Sequence, residues 1–294
     1  MSHPGELAAL SVAFIWTASA LLFEVATNRI GVMAVNVIRL FMAFLMLCVL
    51  CYFQRGVAIP SDATQSEWIY LSLSGVIGFI FGDWCLLKSF ELSGSRISML
   101  FLAANPAIAA LLGFLFISET LSFLSFIAMF VTFSGIVIAV FSRNKGGNAP
   151  ITLKGLLYGF GAALGQAVGI ILSKKGMGSY NAFAATQIRV LAALIPFIIF
   201  LFINKQTLTV LKTFRLRNTM LILALASFLG TCLGVGLCLY AIQNANAGVA
   251  SSIMSIVPVV IIIPSIIFLK QKTSVGEIIG AVVSVTGVML FFVK

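Results

Sequence analysis

Ten apolar segments, each about twenty residues long, follow one another along this chain, separated mostly by short polar connections. Such segments predict helices that cross a lipid bilayer. About 20 apolar residues span the hydrocarbon core, and a helix satisfies its own backbone polar groups. We therefore predict an all-α polytopic membrane protein with ten transmembrane helices. The segments cover residues 6–25, 34–53, 67–88, 96–117, 122–142, 153–173, 183–204, 218–240, 247–269 and 274–293.

The composition excludes a soluble fold, because 61% of the 294 residues are apolar and only 9% are charged. Soluble domains carry about 25% charged residues. The formal net charge of +10 is typical of basic loops that face anionic lipid, so we predict the lipid bilayer as a partner and no nucleic acid. The single histidine, His3, and five cysteines within apolar segments predict neither a metal site nor a disulfide framework. We expect the cell membrane, inner or plasma, as the location.

An internal repeat divides the chain into two halves. Ala34–Arg39 corresponds to Ala184–Arg189 at an offset of 150 residues, and further along the offset becomes 152. The polar linker 144–152 lies between the halves, so we predict a first five-helix repeat over 1–143 and a second over 153–294. Because five is odd, the second repeat enters the membrane in the opposite sense, as in the inverted repeats of secondary transporters. At the offset of 152, Gly78 and Gly82 correspond to Gly230 and Gly234, Pro106 to Pro258, Glu119 to Gln271 and Gly135 to Gly287.

Several segments of both halves resemble the EamA-like branch of the drug/metabolite transporter superfamily. In the first half these are Gly82–Leu100, Asn105–Pro106, Leu115–Leu121 and Gly135, and in the second half Tyr240–Ile253, Pro258, Phe268–Leu269 and Gly287. Trp16 and Arg39 also suit the resemblance, which covers nearly the whole chain. It implies ten helices in two inverted five-helix repeats, cytoplasmic chain ends, and export or exchange of small metabolites, often amino acids or related compounds.

Two positions depart from the family pattern. Gln271 replaces an acidic residue expected in the second repeat, and Gln166 occupies the position related to Trp16. The two halves are therefore not chemically equivalent, and the resemblance does not fix the substrate.

Two repeat-related arginines are candidates for function, because a charge at the bilayer centre costs about 2.5–3.5 kcal/mol on insertion scales. Arg39 and Arg189 each lie some way inside a predicted helix. We weigh an anion or carboxylate clamp facing a cavity against an arginine that snorkels to a helix end. Inverted symmetry directs the two arginines toward opposite faces of the membrane, which suits two opposite gates.

Asp83 is the most informative acid, deep in the third apolar segment beside Trp84. We weigh a carboxylate that couples transport to protons or binds a substrate amine against an ion pair with Lys88 or a helix cap. Glu24 corresponds to Lys174 in the repeat, and we expect it to form an interface salt bridge. Glu91, Glu119 and Glu277 lie at predicted helix ends, as capping or gate residues.

Pro106 and Pro258 are expected to kink two symmetry-related helices, because proline removes a backbone hydrogen bond. The kinks either expose carbonyl groups to a cavity or serve packing alone. Polar and aromatic side chains complete the candidate substrate-binding or coupling residues: Trp16, Trp84, Asn105, Gln166, Gln187 and Tyr240. Glycines of the sixth segment predict close helix packing rather than a ligand site; these are Gly155, Gly159, Gly161, Gly165 and Gly169.

The sequence contains no motif for ordinary catalysis and no nucleotide-binding loop. We therefore predict a secondary transporter, not an enzyme, that uses no cofactor. It moves a small metabolite by alternating access, driven by a gradient or by exchange, with protons as a candidate coupling ion. The alternative is a non-transporting membrane assembly or sensor protein. The inverted repeat argues against it, because a scaffold does not need pseudo-symmetry. The oligomeric state is open.

Two criteria disagree on the orientation of the chain. Twelve of the 18 lysines and arginines lie in or near connections on the face opposite the chain ends, and four lie on the same face as the ends. Positive-inside logic therefore puts the chain ends outside the cell. The family resemblance implies cytoplasmic ends.

Overall fold

The structure, a computed structural model, describes residues 4–108, 111–112, 123–145, 152–245, 250 and 253–290, and every regular element in these residues is helical. Residues 105–108 and 111–112 are helical as well. The elements are α1 (Pro4–Ile30), α2 (Val32–Arg55), α3 (Gln65–Gly75), the π-helix π1 (Val76–Gly82), α4 (Asp83–Leu102), α5 (Phe123–Lys145), α6 (Leu153–Met177), α7 (Ala182–Ile203), α8 (Thr207–Thr213), α9 (Arg217–Ala226), the π-helix π2 (Ser227–Gly234), α10 (Val235–Asn244), α11 (Val257–Val260), α12 (Ile262–Leu269) and α13 (Val275–Leu290).

Seven helical runs are long and apolar enough to cross a membrane, and two shorter apolar helices accompany them. The predicted all-α polytopic membrane protein is therefore confirmed, whereas the number of ten spans stays a prediction. The seven runs are Pro4–Ile30, Val32–Arg55, Gln65–Leu102, Phe123–Ser142, Leu153–Met177, Ala182–Ile203 and Arg217–Asn244; the shorter helices are Val257–Leu269 and Val275–Leu290.

Local sequence explains where several of these helices begin and end. Gly31, with φ 81°, separates α1 from α2, and Gly94, with φ 77°, breaks α4 into two helices. This left-handed backbone region is open to glycine at little cost. Thr64 and Glu67 form a capping box at the start of α3, and Asn181 accepts two backbone hydrogen bonds at the start of α7.

The bundle has two ends, which we call face A and face B. Face A carries the connections 56–64 and 178–181, and there Gly5 of α1 lies against Ala245. Face B carries Gly31, Gly94 and the connection 270–274, and there Arg29 donates a hydrogen bond to Thr219.

The two π-helices lie at repeat-related positions, because π1 ends at Gly82 and π2 ends at Gly234, 152 residues later. Each faces the first long helix of the other half. A Cβ atom on Gly234 would meet the Trp16 side chain of α1, and one on Gly82 would meet the backbone of Gln166 in α6. Trp16 and Gln166 are themselves repeat-related. The contact of Gly82 with Gln166 is therefore equivalent to the contact of Gly234 with Trp16, with the roles of the two halves interchanged.

The contact between α5 and α13 shows the same exchange. Gly135 lies against Ser284, and Thr132 lies against Gly287. At the offset of 152 residues, Gly135 corresponds to Gly287, and Thr132 corresponds to Ser284. Contacts that interchange in this way are those of two halves related by a pseudo-two-fold axis.

The glycines of α6 bring that helix close to α3, π1 and α4, which confirms the predicted close packing. A Cβ atom on Gly165 would lie 2.6 Å from the Cα of Gly82, and one on Gly169 would lie 3.2 Å from the Cα of Gly78. Neither position has room for a larger residue without movement of the backbone. The two halves therefore contact each other along most of their length.

Candidate functional site

A central cavity with two adjoining lobes lies between the halves. The lobes have cavity volumes of about 90 and 80 Å³ and share Trp16, Met99, Leu102, Asn105 and Ile170 in their walls. The first lobe extends toward face A, past Cys238 and Ile242, and the second extends toward face B, past Phe23 and Phe90. The cavity walls are mainly apolar, with a few convergent polar groups, as is common for small-molecule sites.

A buried ion pair forms the polar wall of the second lobe. Arg39 Nη2 of α2 donates to Asp83 Oδ2 at 2.7 Å, and the two side chains are only 5% and 10% exposed. Gln166 Nε2 of α6 donates to the other carboxylate oxygen, Asp83 Oδ1. Arg39 also donates to Thr231 and, through Nε and Nη2, to Asn36. These partners join α2, the start of α4, α6 and π2 at one point.

Arg189 of α7 lies beside this cluster but outside the cavity wall. Its guanidinium carbon is 4.8 Å from the centre of the Phe79 ring, and that of Arg39 is 5.8 Å from the same ring. Within the described part of the chain, Arg189 makes neither a hydrogen bond nor an ion pair, and its Nε is buried. Both helices carry their arginines inward to one aromatic ring, and the assignment of the two arginines to opposite gates stays a prediction.

Asn105 and the two prolines line the cavity near its middle. Asn105 contributes to both lobes, and its Oδ1 atom is buried without a hydrogen-bond partner. Pro106 and Pro258 line the first lobe, and each follows a two-residue turn, at 103–104 and 255–256. These turns are again 152 residues apart.

Three candidate residues lie away from the cavity. Trp84 stacks on Phe197 of α7, with ring centres 6.2 Å apart. Gln187 is buried and donates to the backbone oxygen of Ala58 at 2.8 Å. Tyr240 packs in apolar clusters and contributes to neither lobe. Their proposed contact with substrate has no support from this geometry.

Phe79, Thr231 and Asn36 belong to the cluster although they were not singled out from the sequence. Phe79 and Thr231 are repeat-related by 152 residues, and each contacts an arginine of the other half: Thr231 contacts Arg39, and Phe79 contacts Arg189. The repeat could have revealed this pair. Asn36 lies one helical turn before Arg39 and accepts from it, which is the usual spacing for neighbours on a helix.

Face B carries a second buried polar cluster. Glu24 of α1 accepts from the Ser95 backbone N–H at 2.7 Å, at the start of the helix after Gly94, and from Gln271 at 2.9 Å. Arg96 pairs with Glu277 at 2.9 Å, and both are almost fully buried. Glu277 also forms a reciprocal cap with Ser274.

The structure corrects two expectations about acidic side chains. Glu24 forms no salt bridge with a described residue, because its oxygens are taken by Ser95 and Gln271. Asp83 does not pair with Lys88, which instead pairs with Glu91 one turn further along its own helix. Glu119 lies outside the described residues.

Face A carries an exposed cluster of Arg55, Asp62 and Tyr180. Arg55 pairs with Asp62, and Tyr180 donates to Asp62 at 3.0 Å. Partial burial opposes ionisation of Asp62, but hydrogen bonds from its own backbone and Tyr180, with the Arg55 charge, hold the pKa of Asp62 below its usual value. Burial and the bond to Asp62 raise the pKa of Tyr180 to about 12.

Comparison with known proteins places this chain in a class of membrane transporters. The model of the EamA-like transporter family matches residues 3–141 and 153–293, one match for each half. The chain belongs to the EamA-like transporter family. Members of this family are membrane transporters of the drug/metabolite transporter superfamily, so a small-molecule substrate and a multi-pass location in a lipid bilayer follow.

One solved structure, described as "Crystal structure of protein", is similar over 99% of this chain and 96% of its own, with a TM-score of 0.65 and 14% sequence identity. At that identity the likeness establishes the fold alone. No curated protein sequence matches the chain. Within the described residues there is no group of three or more histidine, cysteine or acidic side chains that could hold a metal ion.

Proposed function

We propose that this protein is a secondary transporter that exports or exchanges a small metabolite, an amino acid or a related compound, across the cell membrane by alternating access. Its ten helices form two inverted repeats, 1–143 and 153–294, joined by the linker 144–152. The observation that carries the proposal is the Arg39–Asp83–Gln166 cluster, which lies in the wall of a cavity between the two halves. Side chains from both halves form this cluster, so a rocking motion of one half against the other would break and re-form its contacts.

Exchanged contacts support alternating access. Trp16 with Gly234 and Gln166 with Gly82 are one contact made twice with the halves interchanged. Two halves with equivalent contacts can exchange conformations at little cost in free energy, because each interaction that breaks in one half is replaced by its equivalent in the other. The substrate then meets the same central groups from either side of the membrane.

Asp83 is the proposed coupling group. As a carboxylate it holds Arg39 and accepts from Gln166; once protonated it would release Arg39. Arg39 is then free to bind an acidic group of the substrate, because guanidinium and carboxylate groups form charge-assisted hydrogen bonds. Asn105 and Trp16 supply further contacts with the substrate in the part of the cavity that both lobes share.

Reconstituted vesicles provide the test. Vesicles with the full chain are loaded with a mixture of labelled metabolites, and the solutes whose loss depends on the protein are identified at several pH values. We expect at least one small metabolite to move, and Asp83→Asn to remove the pH dependence of its movement. Glu91→Gln is the matched control, because Glu91 pairs with Lys88 at the protein surface. Unchanged pH-dependent transport by Asp83→Asn would refute the coupling role, and the absence of any moving solute would refute transport.

A further inference from the structure

We propose that the central cavity selects an organic monoanion with an apolar body, such as a carboxylate that lacks a free ammonium group. This substrate class rests on the transport function proposed above and, among the metabolites named there, selects the related carboxylates over amino acids that carry a free ammonium group. Charge balance, hydrogen-bonding capacity and the shape of the walls each support it.

The buried centre carries more positive than negative charge. Arg39 and Arg189 meet at the Phe79 ring, and Asp83 is the one acid that the described residues bring to them. The formal charge of this group is therefore +1. A buried charge is costly unless an opposite charge compensates it, and the cost is large in surroundings as apolar as these. A bound monoanion would bring the centre to neutrality, whereas a cation would raise its charge to +2.

The free hydrogen-bonding capacity at the centre is mainly that of donors. Each oxygen of Asp83 already accepts one hydrogen bond, from Arg39 or from Gln166, so a substrate ammonium would have to share the carboxylate with these donors. Arg39 uses four of its N–H groups on Asn36, Thr231 and Asp83. Arg189 uses none within the described residues, although its Nε is buried.

Arg189 acts on the substrate through space rather than by contact. The Phe79 ring lines the second lobe, and the Arg189 guanidinium carbon, of a residue outside the lobe wall, lies 4.8 Å from the centre of that ring. In a low-dielectric interior a charge acts over longer distances than in water. Gly78 makes this placement possible, because a Cβ atom there would lie 3.1 Å from Arg189 Nη2. Arg189 is therefore a selectivity residue, and Arg39 is the group closest to the anion.

The walls describe the rest of the ligand. Trp16, Met99, Leu102 and Ile170, shared by both lobes, favour an apolar body. Among them Asn105 Oδ1 is buried without a partner, so a ligand with one hydrogen-bond donor near its middle would satisfy it.

Four probes with the same phenylpropyl body test the charge selectivity: phenylpropanoate, phenylalanine, phenylpropanol and phenylpropylamine. Their binding to the purified full-length chain in detergent is measured by calorimetry at neutral pH and low salt. We expect the carboxylate to bind about tenfold more tightly than the alcohol, and the amine to bind most weakly. Equal or tighter binding of the alcohol, the amine or phenylalanine, or no binding of the carboxylate, would overturn the inference.

Two variants should shift the selectivity in opposite directions. Arg189→Gln removes one positive charge and should abolish the preference for the carboxylate over the alcohol, whereas Arg189→Lys should keep most of it. Asp83→Asn removes the negative charge and should strengthen that preference. General damage to the fold would weaken all four probes together, and an unchanged preference in Arg189→Gln would count against the proposed role.

The outcomes also separate this inference from the transport proposal. Vesicles that move a neutral or cationic solute, with no carboxylate binding, leave transport standing and refute the anion site. A carboxylate that binds selectively but never moves across the membrane supports the anion site and refutes transport.

Discussion

The Arg39–Asp83–Gln166 cluster brings together side chains from three helices. Arg39, Asp83 and Gln166 stood out because charged and amide groups are costly in an apolar segment. Their contact depends on tertiary structure, since Arg39 and Asp83 are 44 residues apart. Trp84 packs on Phe197 of α7 rather than in the lobe that Asp83 lines, and this choice also depends on the neighbouring helix.

The Arg39–Asp83 pair should show strong energetic coupling. Arg39→Gln leaves a buried carboxylate without its cation, so we expect a decrease of about 3–5 kcal/mol in unfolding free energy. Adding Asp83→Asn should recover much of that decrease, because the double variant leaves neither member of the pair buried without the other, and the Arg189 charge is the same in all four members of the cycle. Unfolding in detergent micelles measures the four members of the cycle.

The Lys88–Glu91 pair is the matched control for this cycle. It lies at the surface, with side chains 32% and 38% exposed. Surface pairs of this kind contribute about 0–1 kcal/mol. A coupling energy for Arg39 and Asp83 no larger than that of the control pair would contradict the buried ion pair as a stabilising contact.

Hydrophobic segments and turn residues predicted most of the helices, but not the two π-helices. The apolar runs predicted the helices well because a membrane helix needs little beyond length and apolarity. The π-helices could not be predicted, because their register depends on the helices packed against Gly78, Gly82, Gly230 and Gly234. The break at Gly94 lies within the predicted connection between the third and fourth apolar segments, residues 89–95.

Two glycines of α6 should differ sharply in their tolerance of alanine. At Gly165 a Cβ atom would lie 2.6 Å from the Cα of Gly82, so Gly165→Ala requires the two backbones to separate. At Gly161 it would lie 3.1 Å from Cys85 Sγ, a side-chain atom that can turn away. We expect Gly165→Ala to cost about 1–3 kcal/mol and Gly161→Ala less than half as much, measured by thermal unfolding. Equal effects would contradict the close approach of α6 to π1.

The connection 56–64 should keep its contacts over a wide pH range. Because the pKa of Asp62 is lowered on folding, its contribution is present above the ordinary aspartate pKa and disappears only as the pH falls through the lowered value. Tyr180, with a pKa of about 12, stays protonated at neutral pH. The stability difference between wild type and Asp62→Asn should therefore be constant between about pH 5 and pH 9.

A difference that changed within that pH range would contradict this interpretation of the Asp62 contacts. The expected size is at most about 1 kcal/mol, because Asp62 is substantially exposed. It follows that pH-dependent transport near neutral pH would have to arise elsewhere in the molecule.

At the scale of the whole molecule, the repeat in the sequence predicted more than any single motif did. The constant offset predicted equivalent positions, and the exchanged contacts of Gly135 with Ser284 and Thr132 with Gly287 agree with it. It could not predict how the two faces differ. At face B the halves are joined by the buried Arg96–Glu277 pair, whereas at face A they are joined by Tyr180 of the second half, which donates to the exposed Asp62 of the first. That difference arises where the halves have diverged in sequence.

Alternating access makes a whole-molecule prediction about these two pairs. If closure of face A and closure of face B exclude each other, then weakening one closure must shift the population toward the state open at that face.

Cys238 reports on this balance, because it lines the lobe that extends toward face A. In a variant with Cys238 as the single cysteine, a membrane-impermeant maleimide applied at face A measures that opening. Glu277→Gln should slow labelling and Asp62→Asn should speed it, each by roughly fivefold for a shift of about 1 kcal/mol. Glu91→Gln should leave the rate unchanged. An unchanged rate in Glu277→Gln, as in a scaffold whose faces open independently, or shifts in the same direction would contradict mutually exclusive closure.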